Sequence, residues 1–228
     1  LSKFRFRDAN PVRSDQDLFS SNRFGIDRLY TSWLKSLTPN THLAVSGGYL
    51  EEMFSGYGGE ILYRPFGKTF AIGAEGWRVN KRDPDSLLAL DLKDNAIYTG
   101  HLNLYYEIPN QTTTAYLKAG QYLREDIGAT FGLKNKFENG ALLEGYITGT
   151  DQEDADILGN STHVFGGVRL SLPIGNIPYV PAGSALRLKT EPFARDSGQV
   201  LDNPQPLYDV TEPISSRALH QSWKTLLN

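Results

Sequence analysis

Cysteine is absent from the chain, so disulfides, thiolate metal sites and cysteine nucleophiles are excluded. Long apolar runs are absent too. Nothing approaches the roughly 18 consecutive apolar residues that a transmembrane helix needs, and Leu1 to Asp8 carry no apolar segment of an export signal. Charge of one sign is also lacking. Lys plus Arg number 23 and Asp plus Glu 26, a net charge of −3, which gives no electrostatic reason to expect nucleic acid as a partner. A mean hydropathy of −0.39 resembles that of a soluble protein. Strands that alternate lipid-facing and lumen-facing residues average to the same value, however.

Glycine and proline divide what is there. Of 22 glycines, 19 fall between Thr41 and Gly175, while 7 of 12 prolines fall from Pro173 onward. The division is an N-terminal segment 1–40, a β region 41–175 and a proline-rich tail 176–228. The β region reads as eight strands, near 42–50, 57–65, 69–80, 97–108, 112–123, 127–138, 141–149 and 163–174. In 97–108, Tyr98, Leu102, Leu104, Tyr106 and Ile108 share one face, and Thr99, His101, Asn103, Tyr105 and Glu107 the other. That is period-two alternation over a whole segment. Globular strands cluster at about 5–6 residues, whereas a tilted bilayer crossing takes about 9–11. Most of these runs have the longer length.

Connections alternate in length. Phe66-Gly67-Lys68, Pro109-Asn110-Gln111 and Asn139-Gly140 are short, the last reading as a two-residue type I′ turn. Lys81 to Ala96 and Thr150 to Thr162 are long. Outer-membrane barrels alternate in this way, with short turns periplasmic, which puts the tail in the periplasm. In the N-terminal segment Phe24, Ile26, Leu29, Tyr30, Trp33, Leu34 and Leu37 recur near helical spacing, with Ser20 to Asn22 as cap and Pro39 as stop. An amphipathic helix over 23–37 is the first reading and a further strand the second. The tail reads as irregular.

The polar face gathers Glu60, Arg64, Glu75, His101, Glu107, Lys118, Lys134, Lys136, Glu138, Glu144 and Arg169, with Tyr105, Tyr116, Tyr122 and Tyr146 beside them. Mixed signs point to a hydrogen-bonded interior rather than an ion funnel. The ligand candidates lining the lumen are Glu60, Arg64, His101, Tyr105, Glu107, Tyr116, Lys118, Lys134, Tyr146 and Arg169. They either fill a small barrel or, with tyrosines stacking on sugar rings, line a path for neutral sugars. The four histidines stand near no G-x-S-x-G elbow. The acidic loop Asp151, Glu153, Asp154 and Asp156 lacks EF-hand spacing and reads as a solvated face. Glu51 and Glu52, adjacent on one strand, point to opposite sides and cannot share a substrate, so a structural turn is expected there. No catalytic set, metal site or cofactor is expected.

Ser46-Gly47-Gly48-Tyr49-Leu50-Glu51-Glu52-Met53-Phe54, followed by Gly58-Gly59-Glu60-Ile61-Leu62-Tyr63-Arg64-Pro65-Phe66-Gly67, resembles the YjbH/GfcD family. Phe24 to Tyr30 and Phe193-Ala194-Arg195-Asp196-Ser197-Gly198 look similar to the same family. The resemblance implies an outer-membrane protein linked to exopolysaccharide and capsule secretion, of which this chain looks like the C-terminal portion. It also implies a longer protein anchored through a lipid-modified cysteine. The expectation is therefore an all-β antiparallel transmembrane barrel of about eight strands in the cell outer membrane. It is expected to act as conduit or assembly partner and not as an enzyme. Its partners would be outer-membrane lipid, polysaccharide and other secretion proteins. The alternatives are an outer-membrane enzyme acting on lipid or glycan, and a soluble lectin-like β-sandwich.

Overall fold

The computed structural model describes residues 12–14, 19, 26–83, 96–109, 112–137, 139–155, 160–175, 185–190 and 196–227. Ten strands form a single antiparallel sheet in sequence order. They are β1 (Leu29–Thr38), β2 (Thr41–Tyr49), β3 (Phe54–Tyr63), β4 (Phe70–Lys81), β5 (Ile97–Glu107), β6 (Thr113–Gln121), β7 (Ile127–Lys136), β8 (Leu142–Ala155), β9 (Ser161–Pro173) and β10 (Ala185–Thr190). Two helices follow, α1 (Leu207–Val210) and α2 (Ser216–Leu227), with a 3-10 turn at Glu212–Ile214 between them. The sheet is open. Among the described residues, β1 pairs with β2 alone and β10 with β9 alone.

Register explains the burial. Tyr63, Ile72, Leu104, Leu117, Phe131 and Ile147 lie directly opposite one another across six consecutive strands. All six are 44–60% exposed. On the opposite side His42, Ser46, Glu60, Thr99, His101, Asn103, Glu107, Thr114, Thr130 and Thr148 are buried. A water-soluble sheet puts its apolar face in the core and its polar face in water. Here the arrangement is inverted.

The polar face is concave. Lys118 on β6 reaches Glu75 on β4, and Arg64 just after β3 reaches Glu107 on β5. Each pair bridges an intervening strand, about 10 Å between backbones, which side chains span readily only when the sheet curls toward them. The end of the sheet carrying the longer links is closed by an apolar cluster of Val12, Leu50, Met53, Phe54, Trp77, Val79, Leu123 and Leu201. Within it, Leu50 and Glu51 N–H both donate to the Phe54 carbonyl (3.1 and 3.2 Å), a tight turn between β2 and β3. The Glu51 carboxylate accepts from Arg13 Nη2 (2.9 Å) and Asp202 N–H (3.0 Å). The expected structural turn is found.

Several expectations are corrected. Residues 29–38 are a strand, not part of an amphipathic helix over 23–37; residues 23–25 lie outside the described residues. Outward Leu29, Trp33 and Leu37 combine with inward Tyr30 and Leu34, so apolar residues on both faces imitate helical spacing. The strands number ten, and the β region runs beyond 41–175 at both ends. The link predicted over Thr150 to Thr162 is mostly strand, because β8 and β9 continue as a hairpin pairing Asp154 with Thr162. Phe137 N–H donates to the Ala141 carbonyl (2.8 Å) and Gly140 N–H to the Phe137 carbonyl (2.9 Å), a wider connection than the expected two-residue turn Asn139-Gly140, with Gly140 at φ 81°. The tail is not wholly irregular. It adds β10 and the two helices, and it leaves the sheet at the long-link end, opposite to the expected one.

Candidate functional site

The site is the concave polar face together with the tail packed on it. Inward positions form rows by register. One runs Glu60, Glu75, His101; a second Leu62, Gly73, Asn103, Lys118, Thr130, Thr148. A third runs Ala71, Tyr105, Tyr116, Gly132, Tyr146, and a fourth Glu107, Thr114, Lys134, Glu144, Arg169. Nine of the ten lumen candidates therefore sit on the inward strand positions, and Arg64, just past β3, reaches into the same face. Glu138 lies outside the described residues.

Three clusters result. In the first, Glu75 accepts from Lys118 Nζ (2.5 Å) with His101 Nδ1 3.3 Å away, and the His101 ring meets Tyr122 edge-on at 4.8 Å. In the second, Tyr116 donates its hydroxyl to Glu144 (2.5 Å), Arg169 approaches the same carboxylate (3.4 Å), and its guanidinium covers the Tyr146 ring at 4.6 Å. Gly132 is what admits the Tyr116 ring. A Cβ there would stand 2.4 Å from Tyr116 Cζ.

The third cluster holds the tail. Glu60 accepts from Leu207 N–H (2.9 Å) and Asn203 Nδ2 (3.0 Å). The Tyr208 ring stacks on Tyr105 at 4.0 Å between centroids and 13° between planes, with the Arg64 guanidinium 4.4 Å from its centre. Its hydroxyl donates to Glu107 (3.1 Å), which also accepts from Arg64 Nη2 (2.5 Å). Lys134 pairs with Asp209, and Lys136 with Glu212 at 2.6 Å. A buried ion pair is tolerable when its remaining lone pairs and protons find partners. Glu107 and Arg64 meet that condition through the tail.

Three aspartates fasten the other end. Asp196 Oδ1 accepts from the consecutive N–H groups of Val12 (2.8 Å), Arg13 (2.7 Å) and Ser14 (3.0 Å). Asp154 Oδ2 accepts from Asp196 and Ser197 N–H, both at 3.0 Å. Asp126 Oδ2 accepts from Gly198 N–H at 2.8 Å. Burial pushes the Asp126 carboxyl above its ordinary range, against the Gly198 bond that favours the charged form. Sequence reasoning missed Tyr208, Asp126 and Asp196, and read Asp154 as part of a solvated loop. The one available signal was Asp196, inside the Phe193–Gly198 stretch that carries the resemblance. Among the described residues no group of three His, Asp or Glu could hold a metal ion, and no helix is long and apolar enough to cross a membrane.

The tail thus runs from the long-link end, at residues 196–202, across the polar face at 203–208, to the short-turn end at 209–217. Fold and site define an up-and-down antiparallel sheet, apolar outside and polar inside, whose own C-terminal segment occupies the polar face. The chain belongs to the YjbH family. The model of that family, described as "Exopolysaccharide biosynthesis protein YbjH", matches residues 1–213. The "Uncharacterized lipoprotein YjbH" of Escherichia coli (strain K12) is 32% identical over 208 residues, covering 90% of this chain and 29% of the relative. The chain therefore spans under a third of the length of the curated relative it matches. No solved structure matches.

Proposed function

We propose that this chain is a section of the wall of an outer-membrane β-barrel in an exopolysaccharide secretion system, working as an assembly partner and not as an enzyme. The observation that carries the reading is the row from Tyr63 to Ile147, six apolar side chains exposed across six strands above a buried polar face. Lipid is the solvent that suits such a surface, and strands of nine to fourteen residues in β1 to β9 are long enough to cross it. Exposed Tyr57, Tyr98, Tyr63 and Tyr106 lie toward the two ends of the band, where aromatic girdles belong. Family membership supports the link to exopolysaccharide, and the lipoprotein name of the relative supports the cell envelope.

Assembly is favoured over conduction because the tail fills much of the polar face. The conduit reading draws on a different observation: Tyr105, Tyr116 and Tyr146 form one inward row able to stack on sugar rings once the tail is displaced. A catalytic role is disfavoured at the rim. His163 there sits between Glu153 (3.2 Å) and the Thr150 carbonyl (3.2 Å), a setting that fixes a side chain rather than activating a serine. A sandwich would need a second sheet over the apolar face, and all ten described strands lie in one sheet. In this reading the partners are outer-membrane lipid, the polysaccharide, and other secretion proteins of the periplasm or outer membrane. The test is to express the full-length parent, fractionate the envelope and compare boiled with unboiled samples on SDS gels. Outer-membrane fractionation with a heat-modifiable band is expected. A soluble periplasmic protein without a heat shift would overturn the proposal.

A further inference from the structure

Resting on the barrel reading, we infer that β1 and β10 do not close on each other: each pairs with a strand from outside this chain in the same polypeptide. In hydrocarbon every backbone N–H and C=O must be satisfied, so neither open edge can stay open. The β1 edge also lacks the usual protections. Natural edge strands are short, charged, bulged or covered. β1 is ten residues long with one charge, Lys35, and its irregularity is confined to the Ser36–Thr38 end.

The faces near β1 point the same way. From Trp33 to Thr38 every residue of β1 is exposed, on both sides of the sheet. Leu34 belongs to the polar side, opposite Ala44, and is still 41% exposed. A neighbouring strand and the side chains behind it are what would cover it. At the far edge Leu186 and Leu188 of β10 remain exposed on the apolar side, continuous with Leu143 and Leu170 through register. The next strand there must continue the apolar band. From residue 203 onward the tail, moreover, bonds to residues on β1, β3, β5, β6 and β7, from Tyr30 to Lys136, while toward the short-turn end of β9 the Arg169 side chain stays 38% exposed. The interior is therefore completed from elsewhere on that side. The source of strands is at hand, since the matched relative has more than two thirds of its length outside the matched region. Alternation fixes their number modulo two. β1 and β10 are antiparallel members of a ten-strand meander, so an even number of added strands closes the barrel with every neighbour antiparallel.

The test uses the intact full-length parent in outer membranes, with p-benzoylphenylalanine replacing Leu34 or, separately, Leu188. Photolysis is followed by peptide mapping, and heat-modifiability is checked in the same samples. Cross-links from both positions to peptides of the same polypeptide outside this chain are expected. Cross-links joining β1 to β10, cross-links between two copies of this chain, or no cross-link at either position in a heat-modifiable parent would each overturn the inference. A parent that fails to shift on heating instead overturns the barrel reading beneath it, so the two failures are distinguishable.

Discussion

Replacing Tyr208 by Ala should free the tail from the polar face while leaving the sheet intact. The ring is buried, stacked 4.0 Å from Tyr105 and covered by Arg64. Removing a large buried aromatic costs about 3–5 kcal/mol, and the stacking geometry accounts for about 0.5–1.5 of that. At about 1.4 kcal/mol per decade, tail release should rise by about two to three and a half powers of ten. Tyr208→Phe provides the internal comparison. It keeps the ring and loses the hydroxyl contacts to Glu107 (3.1 Å) and Thr114 (3.3 Å), while Glu107 retains Arg64. At about 1 kcal/mol for each of these two contacts, with Glu107 still partnered, the loss is about 2 kcal/mol, roughly thirtyfold. Hydrogen exchange of the amides of residues 207–211, measured with the protein in detergent micelles, reads both variants. Equal exchange in the two, or no change in either, would refute the claim that the Tyr208 ring holds the tail.

Gly132→Ala should force the Tyr116 ring off its Glu144 contact, costing about 1–3 kcal/mol by overpacking; a lower temperature for loss of the unboiled gel band is the readout. Asp196→Ala should release residues 12–14, since three N–H groups lose one charged acceptor. At about 1–3 kcal/mol for each buried group left unsatisfied, protease cleavage near residue 13 should become rapid, and unchanged cleavage would count against the cradle. Asp126 supplies a pH test. Its carboxyl lies above the ordinary aspartate range in the fold, so folding favours the protonated form. Its contribution to stability is complete below the unfolded value and is lost as pH rises through the folded one. The fold should therefore gain stability on acidification from neutral pH relative to Asp126→Asn, which has no proton to gain, even though the Gly198 bond itself favours the charged form. Parallel exchange profiles for the parent and that variant would contradict the assignment.

Much of the sheet was legible because one physical rule, inward polar and outward apolar with period two, holds from β2 to β9. His101, Tyr105 and Glu107 were assigned to the polar side by alternation alone, and the register puts them there. β1 was less legible because edge strands need not alternate cleanly, and Leu34 faces inward without cover. The acidic run at Asp151–Asp154 read as loop because carboxylates are poor strand formers. In the fold those carboxylates cap backbone N–H groups, Asp151 at Ile127 (2.8 Å) and Asp154 at Asp196 and Ser197. The tail was the least legible part. Leu207 and Tyr208 find partners 94 to 147 residues away in sequence, and no local pattern encodes contacts that distant.

The central claim is that the Tyr63 to Ile147 row faces lipid. The cysteine-free sequence allows nitroxide labels at single cysteines replacing Leu104 and Phe131 on the apolar side and Thr130 on the polar side. Oxygen partitions into bilayers and polar nickel chelates do not, so collision rates in reconstituted membranes report each label's surroundings directly. The account predicts high oxygen and low nickel accessibility at 104 and 131, and low accessibility to both at 130. Nickel accessibility at 104 and 131 equal to that of a water-exposed loop would contradict it.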